Sequence, residues 1–149
     1  MKKNIIILIA LFYIGTLSAQ DIEGKWQKKS NIVGSGLGET YCFYENGKFE
    51  FIVSQYLYLN TIISFEGTYE IKDNEICFTI LSRKERVGAH IEQGSPAWQD
   101  NWVLEGGEIK EIKQEPVKYY FDFSFSVKEN KSIITIGNSS YFKIRKEEE

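Results

Sequence analysis

The chain has 149 residues, 42% hydrophobic and 15% aromatic, with 18 Lys and Arg against 21 Asp and Glu for a net charge of −3. That length suits one domain with a sizeable core. An acidic chain with scattered lysines lacks the basic face that a nucleic-acid backbone demands, and a single histidine beside two cysteines offers no zinc-ligand spacing.

The first twenty residues read as an address. Lys2 and Lys3 precede an apolar run from Ile5 to Leu17, and Leu17-Ser18-Ala19 ends in small residues. This layout predicts a secretory signal peptide over 1–19 with cleavage near Ala19, and export of a mature domain, 20–149, to the periplasm or the exterior. The run is too short to cross a hydrocarbon core that needs about twenty residues. No cysteine near the cleavage point supports lipid attachment, and no second run implies a membrane span in the mature chain. Without Lys2 and Lys3, 16 basic residues face 21 acidic ones, a mature charge of −5 that favours solubility.

From there the dominant period is two, the mark of strands with one face buried. Ile22, Gly24 and Trp26 share a face in a first strand. Thr40 to Glu45 and Lys48 to Ser54 flank Asn46-Gly47, which predicts a hairpin with a type I′ turn; Tyr41, Phe43, Phe49, Phe51 and Val53 then look inward. Ile63, Phe65, Gly67, Tyr69 and Ile71 form the next inward row, and Asp73-Asn74 turns the chain into Ile76, Phe78 and Ile80. Ser82 to Glu115 breaks the rhythm and reads as one long loop. Within it, Ser95-Pro96 is compatible with the start of a short helix carrying Trp98 and Trp102 one turn apart. A hairpin of 101–105 with 108–113 around Gly106-Gly107 fits as well. Val117 to Lys128 is the clearest strand, with Val117, Tyr119, Phe121, Phe123, Phe125 and Val127 on one face. Asn130-Lys131 leads into Ser132–Ile136, and Asn138-Ser139 into a last strand, Tyr141–Lys146, with Phe142 and Ile144 inward.

Short turns between successive strands predict an all-β fold: an antiparallel up-and-down meander of about eight strands that closes into a barrel and so removes its edges. An open two-sheet sandwich is the structural rival. Cys42 and Cys77 fall on the outward phase with two strands between them, each step about 4.8 Å, too far for a disulfide.

Gly24-Lys25-Trp26, Phe43-x-x-Asn46-Gly47-x-Phe49 and Gly67-x-Tyr69-x-Ile71-x-x-Asn74-x-Ile76 together resemble the lipocalin-like domains of secreted bacterial proteins. The resemblance implies that Trp26 plugs the closed end of the barrel beneath a late basic residue, Arg145 or Lys143, as a cation over an aromatic face. It also implies that the barrel binds a small apolar molecule.

Catalytic signals are weak. His90 has no marked nucleophile beside it, Glu85, Glu92 and Asp100 read as solvated acids, and Gly34 to Gly38 lacks the Lys and helix of a phosphate loop. The Asn-x-Ser sequons at Asn130 and Asn138 fall in turns. The expectation is therefore a non-enzyme without cofactor or metal. Its candidate ligand-contacting residues are Phe43, Phe51, Tyr69, Phe78, Phe121, Phe123 and Phe125 inside, with Trp98 and Trp102 as a lid. The alternative is a protein-interaction module, an inhibitor or envelope-complex component, on a filled barrel whose long loop binds the partner.

Overall fold

A computed structural model describes residues 22–28, 38–54, 59–94 and 102–144. They contain ten strands: β1 (Gly24–Lys28), β2 (Thr40–Phe43), β3 (Lys48–Ile52), β4 (Ile62–Lys72), β5 (Glu75–Val87), β6 (His90–Gln93), β7 (Trp102–Glu105), β8 (Glu108–Lys128), β9 (Lys131–Ile136) and β10 (Ser139–Lys143). No helix occurs among the described residues. Eight strands close an antiparallel barrel in the order β1-β10-β9-β8-β5-β4-β3-β2, while β6 and β7 form a separate two-stranded sheet. The meander and its closure are thus as the alternation predicts.

The inward rows meet in register. Trp26 faces Tyr41, Tyr41 faces Phe51, and Phe51 faces Phe65. Ile71 faces Ile76, which faces Phe121. Phe123 faces Ile136, and Phe125 faces Ile134. The buried core joins Trp26, Tyr41, Phe43, Phe49, Tyr69, Phe78, Phe123 and Tyr141 with Ile22, Ile76, Ile134 and Ile136. Cys42 lies opposite Glu50 and Cys77 opposite Glu70, both outward, and no disulfide joins them.

One barrel end is shut by short connections: 44–47, 73–74 and 129–130. The first is not the expected type I′ turn. Gly47 (φ 70) is left-handed but Asn46 is not, the Gly47 N–H donates to the Tyr44 carbonyl at 3.1 Å, and the Asn46 side chain accepts from the Lys48 N–H at 3.2 Å. This is a three-residue loop closed by a glycine bulge, in which Asn46 is spent holding the backbone. The type I′ pattern of two left-handed residues occurs instead at Glu129 (φ 49) and Asn130 (φ 62), one position before the expected turn.

The stretch 82–115 is not the expected long loop. β5 continues to Val87 and β8 begins at Glu108, so that Ser82–Val87 pairs with Glu108–Lys113 as an arm that continues the barrel wall, with Ser82–Glu85 also paired to Ile62–Glu66 of β4. Lys84 faces Glu111 and Glu85 faces Lys110, opposite charges across the ladder. The arm joins the barrel through a register shift after Ile80, where Leu81 and 114–116, with Pro116, fit no regular ladder. The proposed hairpin around Gly106-Gly107 does not form: β7 pairs with β6 and β8 with β5. A Cβ on Gly107 would stand 2.8 Å from the Ala89 nitrogen and 2.9 Å from the Val87 oxygen, so only glycine lets the chain cross there from one sheet to the other. The helix start suggested at Ser95-Pro96, and Trp98 with it, lie outside the described residues.

The last strand has the opposite phase to that expected. Tyr141 faces Ile134 and Lys143 faces Trp26, so these two point inward and Phe142 outward. Inward polar atoms have partners here, which apolarity alone does not reveal.

Candidate functional site

Trp26 is fully buried near the shut end, its indole N–H donating to the Ile22 carbonyl at 2.7 Å and its ring edge-on to Phe125 at 6.3 Å. The Lys143 ammonium lies 5.4 Å from the ring centroid, and its alkyl stem crosses Gly24, where a Cβ would meet it at 3.1 Å. Of the two basic residues named for this cover, Lys143 is the one placed there; Arg145 lies outside the described residues.

Above this floor the rings interlock. Phe78 packs on Phe49 at 4.6 Å, Tyr41 at 5.4 Å, Phe121 at 6.1 Å and Phe43 at 6.3 Å, while Tyr69 meets Phe43 edge-on at 4.8 Å. They do not fill the barrel. A cavity of about 260 Å³ remains, walled by Tyr41, Phe49, Phe51 and Phe65 on one side and by Phe78, Ile80, Tyr119 and Phe121 on the other. Of the expected contact residues, Phe51, Phe78 and Phe121 line it. Phe43, Tyr69, Phe123 and Phe125 belong to the packed core beneath. Trp102 stands exposed on β7 and lines no wall of the cavity. Tyr41, Phe49, Phe65, Ile80 and Tyr119 complete the wall; each shares the inward phase of its strand, the signal by which alternation locates it.

Two charged pairs lie next to the inward rings. On one wall Lys28 pairs with Glu39 at 2.9 Å, and the Tyr141 hydroxyl donates to the same carboxylate at 3.4 Å. Burial first, and then the Glu39 charge, push the Tyr141 phenol up to about 12. Burial, with Tyr141 and Glu39 adding to it, holds the Tyr41 phenol higher still. On the other wall Arg83, opposite Phe65, pairs with Glu85 at 2.9 Å and reaches Gln114 at 3.4 Å.

A larger groove of about 620 Å³ crosses the outer face of β3, β4 and β5. At its centre Lys84 binds Glu66 and Glu50, Glu50 also accepts from Ser64 at 2.9 Å, and the hydrogen bond to Glu66 helps keep the ammonium protonated well above its usual range. Such a lysine is no general base. His90 is exposed beside Glu92 on β6, opposite Glu105 of β7. No group of three potential metal ligands occurs among the described residues.

Set against known proteins, the chain matches no family model, no curated protein and no solved structure.

Proposed function

We propose that this is an exported binding protein that holds one small, compact apolar or amphipathic molecule inside its barrel. The observation that carries the reading is the unfilled 260 Å³ cavity walled by seven aromatic rings and Ile80. An eight-stranded barrel is just wide enough either to be packed solid or to hold one small guest, and the pocket among its inward rings supports the second. The void is below the roughly 300–1,000 Å³ of pockets for drug-sized ligands, which favours a small guest. The Arg83–Glu85 pair, opposite the wall residue Phe65, is a polar neighbour for the head of an amphipathic guest. The sequence motifs that resemble lipocalin-like domains and the N-terminal run that reads as an export signal support the same reading, which requires binding rather than catalysis and no cofactor.

The test is a fluorescence titration of the folded chain with an environment-sensitive apolar dye, repeated on Ile80→Trp, whose indole occupies the cavity. Saturable one-to-one binding lost in Ile80→Trp supports the proposal; no binding, or binding indifferent to that substitution, defeats it. A second reading, a protein partner, has one observation in its favour: the β6–β7 hairpin exposes Ile91 and Trp102 together, away from the barrel. Replacing 89–107 by a short Asn-Gly turn would then abolish partner capture and leave dye binding intact.

A further inference from the structure

A hydrogen bond has a direction, and in the polar chain that ends at the cavity wall each direction is forced. The Glu39 carboxylate, paired with Lys28 at 2.9 Å, can only accept. Tyr141 has a single proton and gives it to that carboxylate at 3.4 Å. Toward its other partners, the hydroxyls of Tyr41 and Ser139, the Tyr141 oxygen can then only accept. Tyr41 therefore spends its own proton on Tyr141, and what its oxygen retains is acceptor capacity alone. Burial pushes both phenols up and keeps these protons in place at neutral pH. Tyr41 is buried and forms part of the wall of the 260 Å³ cavity, and no other hydrogen-bond donor among the described residues reaches its oxygen. The second phenol of that wall, Tyr119, is 47% exposed, so water meets either need of its hydroxyl and it selects nothing.

We propose that the guest is a small aromatic molecule with a hydrogen-bond donor on its ring system, a phenol or an indole, whose O–H or N–H donates to the Tyr41 oxygen at the end of this chain. The inference rests on the barrel cavity being the binding site and names what that cavity selects. The wall favours a ring because seven of its eight residues are aromatic, and offset or edge-on ring contacts add attraction beyond the area they bury. The wall rings are tilted against one another, Tyr41 on Phe51 by 36° and Phe78 on Phe121 by 60°, so a flat guest meets both faces and edges. An apolar cavity of roughly 150 Å³ already takes up benzene, and 260 Å³ leaves room for one or two fused rings with a polar substituent. The donor follows from Tyr41. An ether or ester oxygen placed there would set acceptor against acceptor in a site with little water, and a site built around a hydrogen bond rejects a guest that lacks its half of it.

Calorimetric titration of the full chain with matched compounds tests it. Indole and benzofuran share one shape, but a ring oxygen replaces the N–H in the second; indole should bind about tenfold tighter. Phenol should likewise bind more tightly than cyclohexanol. Tyr41→Phe removes the acceptor and should bring indole down to the affinity of benzofuran. Tyr141→Phe frees the Tyr41 proton to turn toward the guest, so the preference for indole should shrink there too; this variant decides the matter if Tyr41→Phe does not fold. Equal affinity for indole and benzofuran in the unaltered chain overturns the donor requirement and leaves the cavity as the binding site, whereas binding of none of the four compounds defeats the cavity reading itself. Cyclohexanol bound as tightly as phenol overturns the aromatic requirement. A tenfold preference for indole that survives both substitutions overturns the role of Tyr41.

Discussion

Truncating Phe78 to alanine strikes the point where core and cavity meet. Its ring is 3% exposed and stands within 6.3 Å, centroid to centroid, of Tyr41, Phe43, Phe49 and Phe121. Removing a buried Phe side chain costs about 3–5 kcal/mol, the cavity left behind included. One flank of this ring already borders the 260 Å³ void, so fewer contacts are lost there and the expected cost is near the lower end, about 3 kcal/mol. With a urea slope of about 2 kcal/mol/M the midpoint falls by roughly 1.5 M. Urea unfolding followed by circular dichroism reads this directly, and Phe78→Leu, which keeps most of the volume, should lose less than half as much. A midpoint shift under about 0.3 M would mean that the ring is not part of a packed centre, and the inward reading of β5 would fail with it.

Other substitutions probe separate links. At Gly67 a Cβ would sit 1.9 Å from the Thr79 carbonyl oxygen, so Gly67→Ala must push β4 from β5 and should lower thermal stability by about 3 kcal/mol or more. Gly88→Ala, where nothing lies within 4 Å and only a φ of +78° is strained, should cost about 1–2 kcal/mol in the same melting assay. Lys143→Met should cost under about 1 kcal/mol by urea unfolding, because an exposed cation over a ring contributes little, whereas Trp26→Ala should cost several times that. Alkaline pH should destabilise the fold. Tyr41 and Tyr141 have phenol pKa values raised above the unfolded 10, Tyr141 to about 12, so their contribution is complete below pH 10 and is lost as pH rises toward 12. Melting temperatures between pH 9 and 12 should fall steeply, and Tyr141→Phe should flatten that fall.

The barrel was legible because a half-buried strand writes its geometry into alternate residues. Val117 to Phe125 and Ile63 to Ile71 each put apolar groups on one face and polar groups on the other, and the structure turns those faces as read. The arm was not legible, for the same reason inverted. Ser82–Val87 and Glu108–Lys113 are mostly polar on both faces even where they are shielded, with Ser82 buried and Arg83 to Arg86 half-buried, so no hydrophobic rhythm marks them, and a run such as Ser-Arg-Lys-Glu-Arg looks like a loop. What holds it extended is a backbone ladder to β8 and β4 and the contacts of Lys84 with Glu50 and Glu66, which only the pairing of distant segments reveals. The last strand misleads because Tyr141 and Lys143 turn inward to Glu39 and Trp26, while the more apolar Phe142 turns out. At the site, the inward phase names the right rings, but which of them face the void and which pack beneath it depends on how far around the barrel each strand reaches.

The most direct measurement is a crystal structure of the protein grown with a short bromine-tagged alkyl compound, read by anomalous scattering. The account places one bromine peak among Phe49, Phe51, Phe78 and Ile80, with any polar head toward Arg83 or Tyr41. A barrel whose centre shows side-chain density closed over that space, with the bromine on the outer surface or absent, would contradict it.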